Sequence, residues 1–177
     1  MKYSLLNNAT IKSLVLEPFP HLVIENALPS DYYQKVNDNF PLEYFKKLEN
    51  VEDNNTRKDI MSNDLKNQNI NVSKLWREFI DFHSSDEFYH QVLNIFKECI
   101  LNKYPNLFRD HNALFAIKNV NDFSTSVNTP VKTKSSVREA HLDKLNKIFT
   151  GLFYLRSTND NSTGGDLNLY SWKKELS

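Results

Sequence analysis

Two side chains with metal-binding chemistry sit two positions apart in "VREAHLDKLNKIFTGLFYLR", residues 137–156. They are His141 and Asp143. In an extended segment, residues i and i+2 face the same side. An imidazole nitrogen and a carboxylate oxygen would then converge on one point. That is two-thirds of the facial triad that holds non-haem Fe(II) and leaves positions open for co-substrate and oxygen. The spacing alone is weak evidence. With 5 His and 12 Asp in 177 residues, chance gives about 0.3 such pairs. The structural alternative is a His–Asp hydrogen bond at a strand end. The surrounding elements have to decide between them.

Composition bounds the choice. A length of 177 residues fits one domain with a sizeable core, and 12 Phe, 8 Tyr and 2 Trp supply material for it. Lys+Arg and Asp+Glu are equal at 22 each. No basic excess points to nucleic acid, and no like-charge block forms a tail. The lone Cys99 excludes an intramolecular disulfide and a cysteine-based zinc knuckle. Its place among apolar helical positions predicts a buried, inert thiol. The N-terminus lacks the apolar h-region and small-residue cleavage site of a signal peptide, and no run reaches the length of a membrane span. Cysteine usage and these absences predict a cytoplasmic protein with no membrane partner.

The chain changes texture along its length. Residues 13–27 read as two short β segments divided by Pro18 and Pro20. Pro29 and Ser30 start a helix that Pro41 stops, near 30–40. Residues 47–71, rich in Asn, Asp and Lys, read as a long loop. A second helix is expected near 73–82, with Leu75, Trp76, Phe79, Ile80 and Phe82 along one stripe. Ser84 and Glu87 have capping-box spacing for a third, near 85–101. On it Phe88, Val92, Phe96 and Ile100 recur every four residues. After residue 112 the texture is β. "ALFAIKNV", "SSVREAHL", "KIFTGLFYLR" and "DLNLYSW" are strand candidates, the clearest near 113–120, 147–156 and 166–171. All 3 glycines fall in this half, at 151, 164 and 165, and Gly164-Gly165 reads as a turn between strands. Helices followed by strands predict a single α+β domain over 1–177: a mainly helical layer at 1–111 buttressing an antiparallel sheet at 112–177.

The second half also resembles the core of Fe(II)/2-oxoglutarate-dependent dioxygenases, in particular the prolyl-4-hydroxylase-like superfamily. The matching parts are His141-Leu142-Asp143, then Leu152-Phe153-Tyr154-Leu155, then Gly164-Gly165-Asp166-Leu167, in the family's order. The opening "PFPHLVIENALPSDYYQKVNDNFP" is similar to the N-terminal segment of bacterial and phage members. The resemblance spans nearly the whole chain, with the specific motifs confined to residues 138–170.

What it implies is a double-stranded β-helix, a cupin-like jelly roll, with iron at its mouth. His141 and Asp143 would be the metal ligands and catalytic pair. 2-Oxoglutarate would chelate the iron and lose CO2 to become succinate, and a substrate C–H bond would be hydroxylated. Arg156 would anchor a co-substrate carboxylate, because guanidinium can bind one bidentately. Tyr154, two residues earlier, would share its strand face. Arg138 would face the mouth and bind substrate. Lys144 and Lys147 are read as surface residues of the loop. The family's distal histidine and its following basic residue have no counterpart, since no histidine follows His141. Histidines 21, 83, 90 and 111 are read as ordinary surface or core residues. The expectation is therefore a jelly roll lacking its last strands, which by itself binds Fe(II) weakly. The substrate, a small molecule or a protein side chain, is not legible. Two rival readings remain: a catalytically inactive binding or interaction module on the same barrel, and a structural β-sandwich in which His141 and Asp143 play no chemical part.

Overall fold

The computed structural model describes residues 3–45, 57–67, 70–106, 110–116, 122–128, 141, 143, 147–156, 161, 163 and 166–171. Helix α1 spans Ser30–Asp38, with Pro29 as N-cap and Asp31 in its first turn. There a negative charge favours the positive end of the helix dipole. A short helix α2 follows at Leu42–Phe45. Helix α1 lies where the proline punctuation placed a helix, while α2, just after Pro41, was not expected.

Helix α4, Lys74–His83, is the centre of the molecule. The Ser73 hydroxyl accepts from the Trp76 amide at 3.2 Å and caps its first turn. Trp76, Phe79, Ile80, Phe82 and His83 are buried, so the expected apolar stripe is the inward face. Around it collect Leu28, Val36, Phe45, Ile60, Leu65 and Ile70. The Trp76 indole Nε1 donates to the Val36 carbonyl at 2.9 Å. That carbonyl lies in the last turn of α1, where carbonyls lack intrahelical partners. One side chain thus supplies both packing and a polar link between α1 and α4.

Helix α5, Asp86–Lys103, follows after a two-residue corner. Its cap lies one residue later than the capping-box spacing predicts. The Ser85 hydroxyl accepts from the Phe88 amide at 3.3 Å and donates to the Phe82 carbonyl at 2.6 Å. Ser84 is occupied with the end of α4, donating to the Ile80 carbonyl at 2.8 Å. A corner this tight needs one serine for each helix end. Removing such a cap costs about 1 kcal/mol. Ser85→Ala should lower unfolding stability by about that much, and Ser84→Ala by less, in urea titrations followed by circular dichroism. The inward face of α5 also differs from the four-residue repeat. Tyr89, Val92, Leu93, Ile95 and Ile100 are buried, while Phe88 and Phe96 are half-buried. Each four-residue step overshoots a full turn by about 40°, so a strict repeat drifts off the seam.

The long polar stretch read as loop contains structure. Strand β1, Arg57–Met61, runs directly into helix α3, Ser62–Asn67. Strand β1 pairs antiparallel with β2, Ser124–Asn128, in the register Ile60↔Thr125 and Asp59↔Ser126. Ile60 and Thr125 are buried, whereas Asp59 faces outward and accepts from Ser124 and Ser126. This is the alternation a half-buried sheet requires.

The expected strand over 113–120 is corrected in its first part. Residues His111–Phe115 form helix α6, capped by the Asp110 carboxylate, which accepts from the Ala113 amide at 2.9 Å. Residues 117–120 lie outside the described residues. The Asp110 cap favours a helix start, and α6 then packs on α5, with Leu114 buried against Tyr89, Leu93 and Ile100. The expected strands over 147–156 and 166–171 are likewise corrected: no ladder pairs either segment among the described residues. Residues 152–156 still alternate. Phe153 and Leu155 pack on the α4 core, and Leu152, Tyr154 and Arg156 are exposed. The described β structure is the two-stranded sheet plus an isolated bridge, Val15↔His21, and no barrel forms among the described residues. That bridge is what remains of the two β segments expected over 13–27. Residues 135–140, most of the strand candidate leading into His141, and Gly164-Gly165 lie outside the described residues. No helix among the described residues is long and apolar enough to cross a membrane.

Candidate functional site

The segment 147–156 is fixed to the scaffold at two places. Ile148 and Phe149 pack on the α5–α6 cluster, and Phe153 and Leu155 on the α4 cluster. Ring contacts specify both: Phe149 lies 6.4 Å from Tyr89, and Phe153 lies 5.7 Å from Phe79. Apolar residues at these positions make the segment a strap across two cores. His141 and Asp143 precede it in the chain, and both are exposed.

Asp143 is not a loose surface carboxylate. Its Oδ2 accepts from Thr150 Oγ1 at 2.5 Å and from Lys147 Nζ at 3.2 Å. The Thr150 hydroxyl, above all, holds the Asp143 carboxyl below the usual carboxylate range. Partial burial pushes the other way, and Lys147 and His141 add to the lowering. Asp143 is therefore ionised at neutral pH, and His141 lies close enough to act on it electrostatically. An imidazole and an ionised carboxylate within electrostatic reach of one another are suitable donor types for a divalent first-row metal.

The other expected site residues are placed as follows. Tyr154 is 65% exposed, on the outward side of the strap. Arg156 shares that side, and its backbone N–H donates to Tyr33 Oη at 3.2 Å. The alternation of Phe153 and Tyr154 means that only Tyr154 is available to an outer site. Arg138 lies outside the described residues. Thr150 and Lys147 were not legible as partners of Asp143. The i,i+4 spacing of Lys147 was a usable signal, but nothing local marks a hydroxyl seven residues away.

The remaining histidines are accounted for differently. His83 is 1% exposed and fully bonded: its Nδ1–H donates to the Phe79 carbonyl at 2.7 Å, and its Nε2 accepts from the Leu5 amide at 3.2 Å. It is a core histidine that fastens the N-terminal turn to α4. His21 closes the Val15 bridge, with Nδ1 at 2.8 Å from the Phe19 carbonyl. His90 is exposed on α5 beside Phe115, and His111 opens α6. Among the described residues, no three of His, Cys, Asp and Glu come together as a metal-binding group. No family model, no curated protein and no solved structure matches this chain.

Proposed function

We propose that His141 and Asp143 are two ligands of an Fe(II) site in a 2-oxoglutarate-dependent oxygenase of the hydroxylase type, on a jelly-roll scaffold. The observation that carries this reading is an ionised carboxylate, oriented by a hydroxyl of the anchored strap and within electrostatic reach of an imidazole. The order of sequence motifs around the pair supports it. What Fe(II) and 2-oxoglutarate supply when bound is oxidation of a C–H bond by O2, coupled to decarboxylation to succinate. The chain's own share is positioning and charge. His141 offers an imidazole nitrogen, and Asp143 offers a negative oxygen that needs no deprotonation at neutral pH. Arg156 and Tyr154 are assigned to the co-substrate carboxylate, and Arg138 to substrate. The substrate is a small molecule or a protein side chain, not nucleic acid, and the setting is the cytoplasm.

One observation favours the rival, a non-catalytic binding module. Asp143 already uses Oδ2 for Thr150 and Lys147, as a loop-organising aspartate does. Metal titration separates the two. Co(II), followed by its visible absorption, should bind one site per chain, and His141→Ala and Asp143→Ala should each weaken it roughly tenfold or more. Succinate release from 2-oxoglutarate with Fe(II) and air is expected to be small, in keeping with weak Fe(II) binding, and should be absent in both variants. Equal Co(II) affinity in all three proteins would leave the binding module as the better reading.

A further inference from the structure

The two groups on Asp143 Oδ2 are not equivalent. Lys147 is a long, half-exposed side chain, and an ion pair of that kind holds geometry poorly because solvent screens it and its own rotamers compete. Thr150 is short and β-branched, so its χ1 is restricted. It also lies between the two anchors: Ile148 and Phe149 are packed just before it, and Phe153 and Leu155 just after. Its hydroxyl donates to an ionised oxygen at 2.5 Å, which makes the bond charge-assisted and the stronger of the two.

We infer that Thr150 is the positioning residue of this site, a hydroxyl held by two hydrophobic cores that presents Asp143 beside His141 in one orientation. The inference rests on the reading of His141 and Asp143 as metal ligands. Without such a bond, an exposed aspartate samples its staggered χ1 wells. A metal would then have to select one of them and oppose the lost rotamer freedom. With the bond, that ordering is complete before a metal arrives, which is how partners behind a ligand raise affinity. Lys147 acts in the opposite sense toward a cation. Its ammonium sits on the same oxygen and repels an incoming positive charge.

These opposed roles allow a test with two readouts. Thr150→Val keeps the shape and removes the donor, Thr150→Ser keeps the donor, and Lys147→Met removes the charge. Thr150→Val should bind Co(II) about tenfold more weakly, Thr150→Ser should restore affinity, and Lys147→Met should bind at least as tightly as the parent chain. In the metal-free protein, three-bond couplings to the Asp143 β-hydrogens should report one rotamer in the parent and an average in Thr150→Val. An unchanged affinity or an unchanged Asp143 rotamer in Thr150→Val overturns the inference. So do equal losses in Thr150→Val and Lys147→Met, which would mean general loosening of the strap. Indifference of Co(II) binding to His141→Ala and Asp143→Ala removes the metal site itself and the inference with it. Sensitivity to those two but not to Thr150→Val removes only the positioning role.

Discussion

Trp76→Ala should lower the unfolding free energy by about 3–5 kcal/mol, the range for truncating a large buried aromatic. Two effects combine at this position. The indole is 2% exposed, with the Phe40 and Phe79 rings at 5.5 and 5.7 Å, so its removal opens a cavity at the centre of the α4 cluster. Its Nε1–H also satisfies the Val36 carbonyl, and alanine leaves that acceptor buried without this donor. Trp76→Phe divides the two contributions. It keeps most of the packing and loses the hydrogen bond, so a smaller loss of about 1–2 kcal/mol is expected. Urea unfolding of the three proteins measures both. A cost below about 1 kcal/mol for alanine would mean that α1 and α4 are not held together through this side chain.

Acid should produce an effect of similar size through His83. Burial pushes its pKa down to about 4 from 6.5, while its bond to the Phe79 carbonyl opposes that only partly. Folding therefore requires the neutral ring. The unfolded chain takes up a proton near pH 6.5 and the folded chain only near pH 4. Between those values the unfolded state binds more protons, so stability falls as pH falls. The contribution is fully present above about pH 6.5 and is lost progressively down to about pH 4, for a total of roughly 3 kcal/mol. The geometry agrees with the sign, because protonated Nε2 would point a donor at the Leu5 N–H donor. Carboxylates titrate at the lower end of the same window. The informative quantity is thus the difference between parent and His83→Gln, which cannot ionise. Urea midpoints should converge with decreasing pH between 6.5 and 4. Parallel pH profiles for the two proteins would show that His83 titrates normally and is not sealed in the core.

The limits of sequence reading follow from the same particulars. The stripe of α4 was legible because helical periodicity and caps are local: Trp76, Phe79, Ile80 and Ser73 lie within one helix and its N-terminus. The proline boundaries of α1 were legible for the same reason. Strand β1 was not, because "RKDIM" carries little apolar signal of its own and becomes a strand only against Ser124–Asn128. Residues 113–115 erred in the other direction, since their β-like composition was overridden by the Asp110 cap and packing on α5.

At the candidate site, sequence alone determined which side chains are present: an imidazole and a carboxylate two residues apart, followed by a stretch that alternates apolar and polar residues. Chemistry of this kind belongs to residue identity and short-range spacing. Tertiary structure decided that Phe153 and Leu155 enter the α4 core, that Ile148 and Phe149 join α5 and α6, and that Thr150 therefore meets Asp143. That contact depends on two hydrophobic anchors burying their area against helices far away in the chain. No pattern within the strap can specify it, because the free energy that holds it there comes from partners tens of residues distant.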